Sequence, residues 1–172
     1  MSADTPIGPV VSSAHLAQSG FPALSEMEFA LVTGIHAFHR WTTHCMAAAG
    51  APGLSAMEVQ VLHLVHHRGR AKTMAQLCLL LNVEDTHLVT YAARKLRDRG
   101  LVQDGRAGKE KTLSATEEGA ALCARYGEVR KQILIDSLRA QGHSEEEVSR
   151  LAALLRALSG SYDQAARAAA TL

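Results

Sequence analysis

The chain has 172 residues, of which 47% are apolar and 20% charged, a globular composition at a length that supports a domain with its own core. No run approaches the roughly 18 apolar residues of a membrane span, and the start "MSADTPIGPVVSSAHLAQSG" has neither the basic stretch nor the long apolar core of a signal peptide; the expectation is a cytoplasmic protein with no membrane partner. The net charge of +1 conceals an asymmetry, because residues 68 to 114 carry ten Lys or Arg against five Asp or Glu, and a basic centre between acidic ends is suited to a polyanion.

Residues 1–24 are rich in Pro, Gly and Ser and show no period, so they read as a flexible N-terminal arm or a short added element. Helix starts are then marked by the pattern S/T-x-x-E/Q, at Ser25–Glu28, Ser55–Glu58, Thr73–Gln76 and Ser144–Glu147. In each pair the hydroxyl can cap the third amide while the Glu or Gln reaches back. The first predicted helix covers about 26–48, with Met27, Leu31, Gly34, Phe38, Trp41 and Cys45 in one stripe, and Gly50, Pro52 and Gly53 break it. The second covers 56 to about 67, is apolar around much of its girth and should lie centrally. The third, "MAQLCLLL", spans about 74–81 and stops near Asn82.

The fourth predicted helix spans about 86–99 and closes at Gly100, a left-handed C-cap. Leu88, Val89, Ala92, Ala93 and Leu96 form its inner face, and Asp85 is the expected N-cap. "LVQD" and "KTLS" then read as two strands around a Gly-rich basic tip, "GRAGKE". Thr116 opens a fifth helix, striped by Leu122, Tyr126, Val129 and Ile133 and ended by Gly142; Ser144 caps a sixth, where Val148, Leu151, Leu155, Leu158 and Tyr162 form a heptad-like seam.

The order helix, helix, helix, hairpin predicts a mainly α fold with a small β-hairpin wing, a winged helix-turn-helix over 54–114. The fourth helix is then the recognition helix. Thr86, His87, Thr90, Tyr91, Arg94 and Lys95 stay on its outer face, where a helix in the major groove of double-stranded DNA meets base edges and phosphates. Arg106, Lys109 and Lys111 give the wing its cations. Glu84 and Asp85 stand at the helix start, where a phosphate is repelled, so the outer face reads DNA through hydrogen bonding as much as through charge.

Other chemistries find less support. Cys45, Cys78 and Cys123 are odd in number and show no CxxC spacing, so neither a disulfide framework nor a zinc ribbon is expected and small buried thiols are. A cysteine-based redox sensor stays open as an alternative. His63 with His67, and His36 with His39, have spacings that can place two imidazoles on one metal ion, but no third ligand follows from the sequence and no metal or cofactor is expected. No P-loop, GxSxG or GxGxxG occurs, so an enzyme is not expected. A winged-helix module that binds protein and not DNA is the competing reading.

The stretches "LSAMEVQVLHLV", "AQLCLLLNVEDTHLVTYAARKLRDRGLV" and "KTLSATEEG" resemble the MarR family of bacterial transcription regulators over about residues 25–165. "RWTTHCMAAAG" and "NVEDTH" are similar to an LdtR-like subgroup. The family's Thr-x-x-Gly falls on Thr116 and Gly119, whereas its wing pattern of Asp and Arg falls on Ala107 and Lys109, which removes the usual bracing of the wing. The resemblance implies a homodimer on a pseudo-palindromic site, with 25–53 and 115–172 supplying dimerisation helices. It also implies a small effector near the junction of these helices with the winged lobe. His39, Arg40, Trp41 and Cys45, with His36 and His44 beside them, are the candidates there, and an aromatic ring among cationic groups suits an aromatic or acidic ligand.

Overall fold

A computed structural model describes residues 8–18 and 20–172. They form two units, one reaching to Tyr126 and the other spanning Gly127–Leu172. In the first unit a short α1 (Ala14–Ala17) precedes the long α2 (Pro22–Ala48), followed by α3 (Ala56–His66), β1 (Lys72–Thr73), α4 (Met74–Leu81), α5 (Thr86–Asp98), β2 (Val102–Ala107), β3 (Glu110–Ala115) and most of α6 (Glu117–Arg130). The N-terminal arm expected over 1–24 is thus helical in part of its described portion, and the rest of that expectation lies on residues outside those described.

Three of the four capping boxes form. Ser55, Thr73 and Ser144 each accept the amide of the third helical residue, and Glu58, Gln76 and Glu147 return the contact. The fourth does not start a helix: α2 begins earlier, with Pro22 in its first turn, and Ser25 is buried inside it. Proline's fixed φ and missing N–H suit the first helical turn, so Pro22 sets the start ahead of Ser25. Asn82 ends α4 in the left-handed conformation (φ 52°), and Asp85 caps α5 by accepting the amide of His87 at 2.9 Å, as the sequence predicts.

The core of this unit is aliphatic. Val59, Val61, Leu62 and Val65 of α3, Leu77 of α4 and Val89, Ala92, Ala93 and Leu96 of α5 are all buried, as are Leu101, Val102, Leu113 and Leu122, and α5 packs against both α3 and α4. Leu88 departs from expectation. It is 52% exposed, because Val89, Ala92, Ala93 and Leu96 complete the inward stripe and Leu88 is turned away from it. Half of the predicted apolar stripe of α2 is also solvent-facing: Leu31, Gly34 and Phe38 are exposed, Met27 and Trp41 are half-buried, and Cys45, with its neighbour Met46, is buried at the C-terminal end.

The hairpin is longer and the sheet larger than the sequence suggests. β2 and β3 pair antiparallel from Val102↔Ala115 to Ala107↔Glu110, so the loop is only Gly108 and Lys109. Gly108, at φ 61°, supplies the positive first torsion that a II′ turn requires. β1 adds a third strand through Lys72↔Leu113 and Thr73↔Thr112; two residues leave too short a pattern to read as a strand.

The second unit holds the last turn of α6, a π-helical turn at Lys131–Ile135, α7 (Asp136–Ala140) and α8 (Glu145–Ala169). The expected fifth helix is therefore interrupted by a wider turn and not uniform, though Gly142 does end it at φ 85°. Ser144 hydrogen-bonds Glu147 through its amide and hydroxyl, and these bonds hold the Glu147 carboxyl below its usual pKa. Val148, Leu151 and Leu154 stand exposed on α8. None of the described helices is long and apolar enough to cross a membrane.

Candidate nucleic-acid interface

The site is built from α5 and the β2–β3 wing. α5 is strongly two-sided: Val89, Ala92, Ala93 and Leu96 are buried, whereas Thr86, His87, Thr90, Tyr91, Arg94 and Lys95 are exposed. All six recognition-helix candidates thus lie on the solvent side. The guanidinium of Arg94 sits 5.1 Å and the ammonium of Lys95 5.5 Å from the Tyr91 ring centre, distances at which a cation is drawn to an aromatic face. The phenol therefore gathers both cations in the middle of the outer face. Spacings of three and four bring Arg94 and Lys95 beside Tyr91 on one helix face; side-chain torsions set how closely each cation approaches the ring.

On the wing, Arg106, Lys109 and Lys111 are all exposed. The register puts Arg106 directly opposite Lys111 and leaves Lys109 in the turn. The wing is braced after all, by a contact that does not use the family pattern: Arg97, near the end of α5, donates to Asp104 of β2 at 2.7 Å. Both side chains are substantially exposed, so the pair adds little stability, but it joins α5 to the wing directly.

Thr116 and Gly119 secure the other end of the wing. The Thr116 hydroxyl donates to the Gly100 carbonyl at 2.7 Å and accepts the Gly119 amide at 3.1 Å, capping α6. The Thr116 amide donates to the Leu101 carbonyl. A Cβ on Gly119 would collide with that same carbonyl, which fixes the requirement for glycine in this Thr-x-x-Gly segment.

The effector candidates are less convergent. His39 and Trp41 are half-buried, Arg40 is exposed and Cys45 is buried, its thiol 3.7 Å from the Tyr126 carbonyl oxygen. Trp41 and Cys45 share a face of α2, being four apart, while Arg40 points elsewhere. His63 packs edge-on to Tyr126 at 4.6 Å, an aromatic contact inside the first unit. Among the described residues no group of three or more His, Cys, Asp or Glu is placed to hold a metal ion.

A helical bundle that buries one face of α5 and joins its end to a β-hairpin has a winged helix-turn-helix fold, and residues 54–119 match the family model of a winged helix DNA-binding domain. Over most of its length the chain has the fold of MarR family regulators of known structure. It is similar to a MarR family regulator from Neisseria meningitidis, with 18% identity, a TM-score of 0.64, and 83% of this chain and 94% of that one covered. A mutant of MarR from E. coli, complexed with operator DNA, is 19% identical at a TM-score of 0.63, covering 80% and 96% of the two chains. CouR from Rhodococcus jostii, bound to p-coumaroyl-CoA, is 18% identical at a TM-score of 0.60, covering 77% and 90%. No curated protein matches the chain in sequence.

Proposed function

We propose that the protein is a DNA-binding transcription regulator of the MarR type that binds a pseudo-palindromic operator as a homodimer. The observation that carries this reading is the outer face of α5, where Thr86, His87, Thr90, Tyr91, Arg94 and Lys95 stand exposed beside a wing holding Arg106, Lys109 and Lys111. A protein-binding module has no need of such a set of hydrogen-bonding and cationic groups at groove-reading positions. The fold shared with a regulator crystallised on operator DNA supports it.

Dimerisation is inferred from apolar surface. Leu31, Val32, Ile35 and Phe38 on α2, and Val148, Leu151 and Leu154 on α8, are exposed in the single chain, and faces of this kind are covered by a partner. With residues 25–53 and 115–172 in that role, the two recognition helices would meet half-sites about 10 bp apart. A small acidic or aromatic effector held near His39, Arg40, Trp41 and Cys45 would then act by binding the DNA-competent and incompetent spacings unequally. CouR, with its bound p-coumaroyl-CoA, supports a ligand-responsive reading.

The deciding experiment is a mobility shift on the DNA upstream of the protein's own gene, at two salt concentrations. The expected result is a retarded complex that weakens steeply with salt. Absence of binding, or binding indifferent to salt, would overturn the reading and favour the protein-binding module.

A further inference from the structure

A cavity of about 360 Å³ opens between the segment following α3 and the outer face of α4. Arg68, Arg70 and Lys72 line one side, and Gln76, Leu79 and Leu80 the other; no acidic residue contributes to the lining. Spacings of three and four place Gln76, Leu79 and Leu80 together on the helix, while Leu77 and Cys78 take the core side. Leu79 is 80% exposed and Leu80 57%, so two adjacent leucines face water beside a cluster of cations.

The cationic side is set in place by the backbone. Arg68 (φ 58°) and Gly69 (φ 59°) are successive left-handed residues, and a non-glycine residue adopts that conformation only at a cost. The Lys72 ammonium donates to the carbonyls of Arg70 at 3.1 Å and His67 at 3.4 Å. Burial, and then the neighbouring Arg70 charge, push the Lys72 pKa below its ordinary value, as expected of cations held close without an anion.

We propose that this groove is a binding site for a small amphipathic anion, a carboxylate carrying an aliphatic or aromatic body. The carboxylate meets Arg68, Arg70 and Lys72, where charge-assisted hydrogen bonds are strongest, and the body covers Leu79 and Leu80. The volume lies within the range of small-molecule sites, about 300–1,000 Å³. Nucleic acid fits less well, since a phosphate backbone would leave the two leucines uncovered. The site is separate from the α2 residues considered for an effector and does not depend on DNA binding.

The test is calorimetric titration of the full chain, without DNA, with decanoate, and with decanol and decyltrimethylammonium as neutral and cationic counterparts. Decanoate is expected to bind saturably and more weakly as salt rises, and the counterparts to bind far less. Arg70→Gln and Leu79→Gln, both at solvent-facing positions, should each weaken decanoate by about tenfold, with unchanged circular dichroism and unchanged mass in solution. Equal binding of decanol overturns the proposal on the wild-type protein alone. Decanoate affinity untouched by both substitutions also overturns it. So does a change of oligomeric state in Leu79→Gln, which would mean that a second copy covers the leucines.

Discussion

Arg106 and Lys111 stand directly opposite one another across the wing hairpin. Like charges at paired positions of an antiparallel ladder repel, and the nearby carboxylate of Asp104 is engaged by Arg97. The arrangement is unfavourable in the free protein and becomes favourable when an anion lies between the two cations. Lys111→Thr is therefore expected to raise the melting temperature while weakening binding to duplex DNA, and to reduce the slope of log affinity against log salt by about one. A lower melting temperature with an unaltered slope would assign the pair a role in the hairpin alone.

Tyr91 is expected to act through the cations it gathers. Tyr91→Phe keeps the aromatic face and should bind duplex DNA nearly as wild type, whereas Tyr91→Leu should bind more weakly. Arg94→Ala should cost about 1–3 kcal/mol of affinity and relax base preference at one position if Arg94 reads a base, whereas a phosphate contact would weaken all sequences alike. Mobility shifts on a panel of single-base operator variants separate the two.

Gly119→Ala should destabilise the protein by about 1–3 kcal/mol, the ordinary cost of forcing atoms into a packed site. The obstacle is the Leu101 carbonyl, a backbone group that cannot rotate aside and that already accepts the Thr116 amide. Denaturant unfolding measures the loss. Stability equal to wild type would mean that α6 shifts freely against the wing.

Burial raises the Cys123 thiol from its ordinary 9.0 to about 11. The protonated form is favoured by folding, so this contribution is fully present below pH 9.0 and is lost as pH rises through about 11. Stability should fall across that window, and more steeply than in Cys123→Ala. At pH 8 Cys123 should resist alkylation until the chain is unfolded. Rapid labelling of native protein would revive the redox-sensor alternative, which needs an accessible thiolate.

Much of the architecture was legible because its signals are local. A hydroxyl three residues before a Glu or Gln, an Asn or Gly at a helix end, and the Thr116 hydroxyl that caps the Gly119 amide each act within a few residues of chain, whereas the need for glycine at 119 is set by the Leu101 carbonyl, distant in sequence. Ser55, Thr73, Asp85, Asn82, Ser144 and Thr116 behave accordingly. Ser25 failed because a competing local signal, Pro22, lies three residues earlier. Leu88 failed because both it and Val89 are apolar, and only packing against α3 decides which one turns inward.

The sequence by itself determined that a two-sided helix with a polar outer face would be followed by a basic hairpin, since hydrophobic period and turn chemistry are properties of neighbouring residues. Tertiary structure alone decided which residues meet across distance. It paired Arg106 with Lys111, joined Arg97 to Asp104, laid β1 against β3, and drew Arg68, Arg70 and Lys72 up to Leu79 and Leu80. Those contacts depend on strand register, backbone torsion and the packing of whole helices, which no short window of sequence contains.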